Sequence, residues 1–149
     1  MLNDFKNEQQ YHKQLLKTEK LEIKNSEGVR VLLTATYANR SSNKKNESFI
    51  VGIYAEDGIG DENTTTSYGR DFTLLLNGKK PIKAKQLERN DPKVKNLSFI
   101  SDWTRIYYFQ FPYVASNKML LKFKSQMYGS GSLYFYKVPR YRLMRKAIF

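Results

Sequence analysis

The sequence predicts an all-β protein: an antiparallel two-sheet sandwich over residues 18–149, led by a short helix at 4–17, all in one domain. Three observations carry this. Short runs rich in β-branched and aromatic residues follow one another along the chain, among them VRVLLTATY, SFIVGIYAE, TRIYYFQF and KMLLKFKS. Gly, Asn, Ser or Pro bounds each run, which is the punctuation of a many-stranded β fold. Several runs alternate apolar and polar residues with the period of a strand that has one face buried. With 149 residues, 40% of them apolar, the chain can bury a substantial core without staples.

Asp4–Lys17 is the one stretch with helical character. Asn3 or Asp4 caps it, and Phe5, Gln9, His12 and Leu16 approximate a face. Lys20–Lys24 alternates as a first strand, and Asn25–Gly28 turns the chain into Val29–Tyr37. There Val29, Val31, Leu33, Ala35 and Tyr37 share one side. Arg40–Glu47 reads as a polar loop. Ser48–Glu56 is apolar on both faces, as a central strand is. Asp57–Arg70 is a long loop and leads into Asp71–Leu76.

Asn77-Gly78 between two β runs predicts a two-residue type I′ turn, since both central residues need positive φ. The returning run Pro81–Leu87 carries Pro81, Lys83 and Lys85, the residues that guard an edge strand. Glu88–Asp102 reads as a polar connection. Thr104–Phe111 follows and ends at Pro112. In Lys118–Ser125 the alternation sends Met119, Leu121 and Phe123 inward and Lys118, Leu120, Lys122 and Lys124 outward. Gly129-Ser130-Gly131 turns the chain into Ser132–Val138, where Leu133 and Phe135 are expected in the core and Tyr134 and Tyr136 outside. Pro139 interrupts, and Tyr141 and Leu143 continue as a last edge segment.

Net charge is +12, and most of it comes from Lys. Lys is strongly hydrated, so this charge speaks for solubility and unspecific attraction to anions before planar phosphate recognition. The chain has no Cys, which removes disulfides, thiolate metal sites and Cys nucleophiles together. No run approaches the roughly 20 apolar residues that cross a bilayer. MLNDFKNEQQ lacks a hydrophobic signal core, which fits a cytosolic protein and equally an exported one whose signal has been cut away.

Catalytic chemistry finds little footing. His12 is the only histidine; beside Leu and Gln it reads as a surface or packing residue without a carboxylate partner. Ser130 lies between two glycines, but Tyr128 stands where a nucleophile elbow needs Gly, so the triplet reads as a turn. Gly58 and Gly60 begin a dinucleotide-type glycine pattern that fails at Asn63. Asp57, Asp61 and Glu62 offer oxygen ligands at spacings that match no Ca²⁺ loop. No catalytic residue, metal or cofactor is therefore expected. Asn-x-Ser/Thr triplets at Asn39, Asn46, Asn63 and Asn96 are expected by chance in so Asn-rich a chain. Lys118, Lys122 and Lys124, with Tyr134 and Tyr136 nearby, match no named nucleic-acid signature, and alternating Lys is ordinarily the wet face of a strand.

The stretches KLEIKNSEGVRVLLTATY, ESFIVGIYAEDG, DWTRIYYFQFP and KMLLKFKSQMYGSGSLYFYKV together resemble an immunoglobulin-like sandwich. The inter-sheet Cys pair is absent, and Trp103 comes late, just before a strand, so the antibody type is excluded. The closer similarity is to small bacterial lipoproteins whose mature part is a variant immunoglobulin fold. That resemblance implies a non-enzymatic domain of the bacterial cell envelope, in the periplasm or at the outer membrane, working by contact with another protein. It also implies an export signal and a lipidated Cys before Leu2, with membrane attachment through that lipid alone. Partner contacts are then expected in the loops, at Asn43, Lys44 and Lys45, at Asp57, Asp61, Glu62 and Tyr68, and at Arg89 and Asp91. Two other classes compete: a basic β-barrel that binds nucleic acid, and a carbohydrate-active or hydrolytic enzyme using loop carboxylates.

Overall fold

The computed structural model describes residues 17–24, 28, 30–38, 45–55, 68–69, 72–95, 97, 104–126 and 128–137. The helix expected at 4–17 and the last edge segment after Pro139 lie outside them, apart from Lys17. Eight strands are present among the described residues: β1 (Thr18–Lys24), β2 (Arg30–Tyr37), β3 (Asn46–Ala55), β4 (Thr73–Leu76), β5 (Lys83–Leu87), β6 (Arg105–Pro112), β7 (Lys118–Ser125) and β8 (Gly129–Tyr136). They form two antiparallel sheets, one in the order β1-β2-β3-β6-β5 and one in the order β4-β7-β8.

The period of two decides what lies between the sheets. Val31, Leu33 and Ala35 of β2, Phe49, Val51 and Ile53 of β3, and Tyr107, Phe109 and Phe111 of β6 point one way. Leu74 and Leu76 of β4, Met119, Leu121 and Phe123 of β7, and Leu133 and Phe135 of β8 meet them in one buried core. Aromatic contacts tie the layers: the Phe49 and Phe135 rings lie 5.0 Å apart, edge to face. Leu133 and Phe135 fill the core as the alternation predicts, and Tyr134 stands outside.

The large sheet is also covered on part of its outer face. The sequence reads Glu88–Asp102 as a polar connection. Its described part instead makes successive tight turns, with Asp91 N–H donating to the Glu88 carbonyl (3.1 Å), Val94 N–H to Asp91 (2.9 Å) and Leu97 N–H to Val94 (3.0 Å). These turns lay Val94 and Leu97 on Ile50, Leu87 and Ile106, forming a second, smaller apolar cluster. This is why Ile50 and Ile106 are buried although they face away from the main core.

Two turns differ in detail from the sequence reading. Asn77 (φ 49°) and Gly78 (φ 80°) both take positive φ, and Leu76 and Lys79 exchange backbone hydrogen bonds of 2.9 and 3.0 Å across the turn. The strands it joins are nevertheless not partners. Ile82 N–H donates to the Gln110 carbonyl at 2.6 Å, committing the chain to β6 and the edge of the other sheet. The last hairpin turns before Gly129, and Ser130 and Gly131 belong to β8, paired with Lys124 and Phe123. Tyr128, buried in the core, anchors that turn. A Cβ at Gly131 would come within 2.7 Å of a Leu21 methyl and 3.3 Å of an Ile23 methyl, both from β1, so these side chains would have to shift to admit one.

Two substitutions test this geometry. Gly78→Val is expected to destabilise by about 1 kcal/mol or more, because a β-branched residue is strained at positive φ; an unchanged urea midpoint would show that the turn does not hold φ positive. Gly131→Val is expected to cost about 1–3 kcal/mol by overpacking against Leu21, and the loss should shrink when Leu21→Ala is combined with it.

Candidate functional site

Strand register fixes which loops share an end of the molecule. β2 ends, β3 begins and β6 ends at one end, with Lys45 beside Asn46 there. β3 exits at Ala55, β5 ends at Leu87 and β6 begins at Arg105 at the other end. Arg89 and Asp91 therefore lie at the end opposite Lys45, so among the described residues these three do not share one site. Asp91 holds its own turn, accepting the Lys93 N–H at 2.9 Å. Tyr68 packs its ring against Phe72 (5.4 Å) and Phe109 (5.0 Å), and burial pushes its phenol pKa upward. Asn43, Lys44, Asp57, Asp61 and Glu62 lie outside the described residues, as does His12.

The most concentrated polar chemistry is a buried cluster at the Lys45 end. Glu47, which the sequence places at the close of a polar loop, belongs to β3 and is fully buried. Its position, two residues before Phe49, puts it on the inner face. The Tyr37 hydroxyl donates to its Oε1 at 2.6 Å, and the Val114 N–H donates to its Oε2 at 2.8 Å. Lys137 Nζ lies 2.8 Å from the same Oε2, also donates to the Val114 carbonyl, and sits 4.1 Å from the centroid of the Tyr113 ring. Both carboxylate oxygens are thus engaged by the scaffold itself. The cluster fastens β2, β3, the segment after β6 and the chain leaving β8, and this is a structural task. Among the described residues no three His, Cys, Asp or Glu side chains gather as a metal would need.

One exposed surface with several functional groups is the outer face of the small sheet. Register places four rows across it. Lys118 stands opposite Tyr136, Leu120 opposite Tyr134, Lys122 opposite Ser132 with Leu75 on its other side, and Lys124 opposite Ser130 with Thr73. Tyr134 is 50% exposed, and Lys118 Nζ lies 4.4 Å from its ring centroid. No carboxylate belongs to this face among the described strand residues. The alternation that creates the face is visible in the sequence; the pairing of β7 with β8 in register, and of β4 beside them, is not.

The free edge of the large sheet is a second exposed feature. Lys83, Ala84, Lys85 and Gln86 of β5 are exposed on both faces, and Ile82 before them is 65% exposed. The other edge strand, β1, lies beside β8, with Leu21 and Ile23 against Gly131.

Comparison with protein-family models, with curated proteins and with solved structures finds no match to this chain. No helix among the described residues is long and apolar enough to cross a membrane.

The buried cluster yields a direct test. Lys137 keeps 21% of its side-chain surface exposed while Glu47 keeps none. Lys137→Met strands the carboxylate in the core and is expected to lower stability by about 3–5 kcal/mol in urea unfolding. Lys137→Arg should recover most of that loss, and equal stability of Lys137→Met and the parent would show the pair to be open in solution.

Proposed function

We propose that the chain is a non-enzymatic, immunoglobulin-like sandwich domain of a bacterial cell-envelope lipoprotein, acting by contact with another protein. The strand order is the observation that carries this reading. β2-β3-β6-β5 opposite β4-β7-β8 follows the A-B-E-D over C-F-G order of constant-type immunoglobulin domains, with β1 added beside the A position. Edge-to-face packing of Phe49 on Phe135 supplies an inter-sheet tie in a chain that has no Cys. Domains of this architecture work through end loops, sheet faces and edges. The open β5 edge with Ile82, the Arg89–Asp91 turns and the basic face of the small sheet are the surfaces available to a partner.

A second reading, attachment to single-stranded nucleic acid, draws on the Lys and Tyr residues that share the β7–β8 face. Lys spaced along a flat strand, with a single half-exposed ring, supports it less than a groove lined by several aromatics would.

Location and contact are tested separately. Mass spectrometry of the protein isolated from its native cells is expected to find a lipidated Cys directly before Leu2; a cytosolic form starting at Met1 would overturn the envelope assignment. A photo-reactive residue at Ile82, Arg89 or Tyr134 is expected to give a discrete protein adduct in those cells from at least one position. Adducts to nucleic acid alone, or none from any of the three, would overturn the protein-contact reading.

A further inference from the structure

Resting on that protein-contact reading, we propose that the outer face of the β4-β7-β8 sheet is the docking surface, and that its occupant is an acidic protein segment carrying apolar residues between its carboxylates. The face has one sign of charge. Lys118, Lys122 and Lys124 project from the central strand, and the strands on either side offer Thr73, Leu75, Ser130, Ser132, Tyr134 and Tyr136. An acidic partner would therefore meet no competing carboxylate on this face.

The spacing is as informative as the sign. Residues two apart on a strand lie roughly 7 Å apart on one face, so the three ammonium groups spread along a line of roughly 20 Å. The gap between Lys118 and Lys122 is filled by Leu120, which pairs with Tyr134 and is half-buried. Leu75, also half-buried, sits beside Lys122. An extended acidic segment with the same two-residue period meets the lysines with its carboxylates and places an apolar side chain over Leu120 and Tyr134. A tyrosine ring flanked by Leu and clasped by Lys118 at 4.4 Å is a rigid amphipathic anchor of the kind that protein interfaces favour. Lys serves here as a point charge that takes carboxylates without demanding planar geometry. Single-stranded nucleic acid fits the face less well, because its bases need several open rings and this face offers one half-exposed ring, Tyr134.

The test is fluorescence anisotropy with the full chain at low and physiological salt. Three labelled probes are compared: a synthetic peptide of Glu interspersed with Leu, the same peptide with Gln for every Glu, and oligo(dT). The acidic peptide is expected to bind and the Gln peptide not. Lys122→Ser with Lys124→Ser should weaken it roughly threefold to tenfold, as the loss of two exposed charge contacts implies. Tyr134→Ala should weaken it further. Lys83→Ser with Lys85→Ser removes the same charge from β5 and should change affinity less than about twofold if the face is specific. Equal losses from the two double variants would reduce the effect to the overall charge of +12 and overturn the proposal. Oligo(dT) binding more tightly than the peptide and falling with Tyr134→Ala would overturn both the proposal and the protein-contact reading. A protein adduct from Ile82 or Arg89 in cells, unchanged by Lys122→Ser with Lys124→Ser and by Tyr134→Ala, would overturn this proposal alone and leave that reading standing.

Discussion

A buried carboxylate governs how the two sheets are held together. Glu47 lies at the start of β3 with no exposed surface, and such a charge is tolerable only when its oxygens are engaged. Tyr37 at the end of β2, the Val114 backbone after β6 and Lys137 after β8 supply the contacts. Each comes from a different part of the chain, and the segment around Val114 is the crossing from the large sheet to the small one. A hydrocarbon in place of Glu47 would pack there without preference for where the crossing lies. The carboxylate fixes it, because any other position leaves a charge without its partners.

Between the sheets the molecule is also held by rings. Phe72 stacks on Phe123 at 5.5 Å and meets Tyr107 edge-on at 5.7 Å, while Phe49 contacts Phe111 and Phe135. This aromatic filling is confined to the space between the sheets. The five-stranded sheet is wider than its partner, and β5 is exposed on both faces; separately, Val94 with Leu97 covers Ile50 and Ile106 on the outer face of the large sheet. The exposed β5 edge follows from that mismatch in width, and the basic face from the regular outward projection of β7 and β8.

Much of the fold is legible in the sequence because strands with one buried face write their environment into alternate residues. The inward set of Met119, Leu121 and Phe123 and the outward set of lysines are readable without coordinates, and so is the Asn77-Gly78 turn. Long-range pairing is not. Nothing in Leu76-Asn77-Gly78-Lys79 says that the chain will cross to another sheet after the turn, since that choice is made by the Gln110 carbonyl more than twenty residues on. Glu47 is hidden for a related reason: a charged residue after RSSNKKN looks solvated, and only the convergence of three distant partners makes its burial possible. Val94 and Leu97 sit in a polar stretch too sparse in apolar residues to read as a cover. Of the surfaces, the Lys118–Lys124 stripe is visible in outline, whereas the unbroken positive sign of the whole face requires the register of β4 and β8 as well.

The close fit of Gly131 beneath Leu21 has a consequence for the route by which the chain reaches this structure. Most strand pairs here are neighbours in sequence or nearly so, but this seam joins β1 to β8, over a hundred residues away. Loop-closure entropy must be met before such a contact gives anything back, and folds dominated by distant pairings assemble in milliseconds to seconds rather than microseconds. On a ribosome β8 emerges over a hundred residues after β1. Until then the β1 face that will receive it remains bare, with Leu21 and Ile23 unpaired against water. The nascent chain thus holds an unfinished apolar edge until the β7–β8 hairpin arrives, and Gly131 of β8 leaves room for Leu21 when that edge closes.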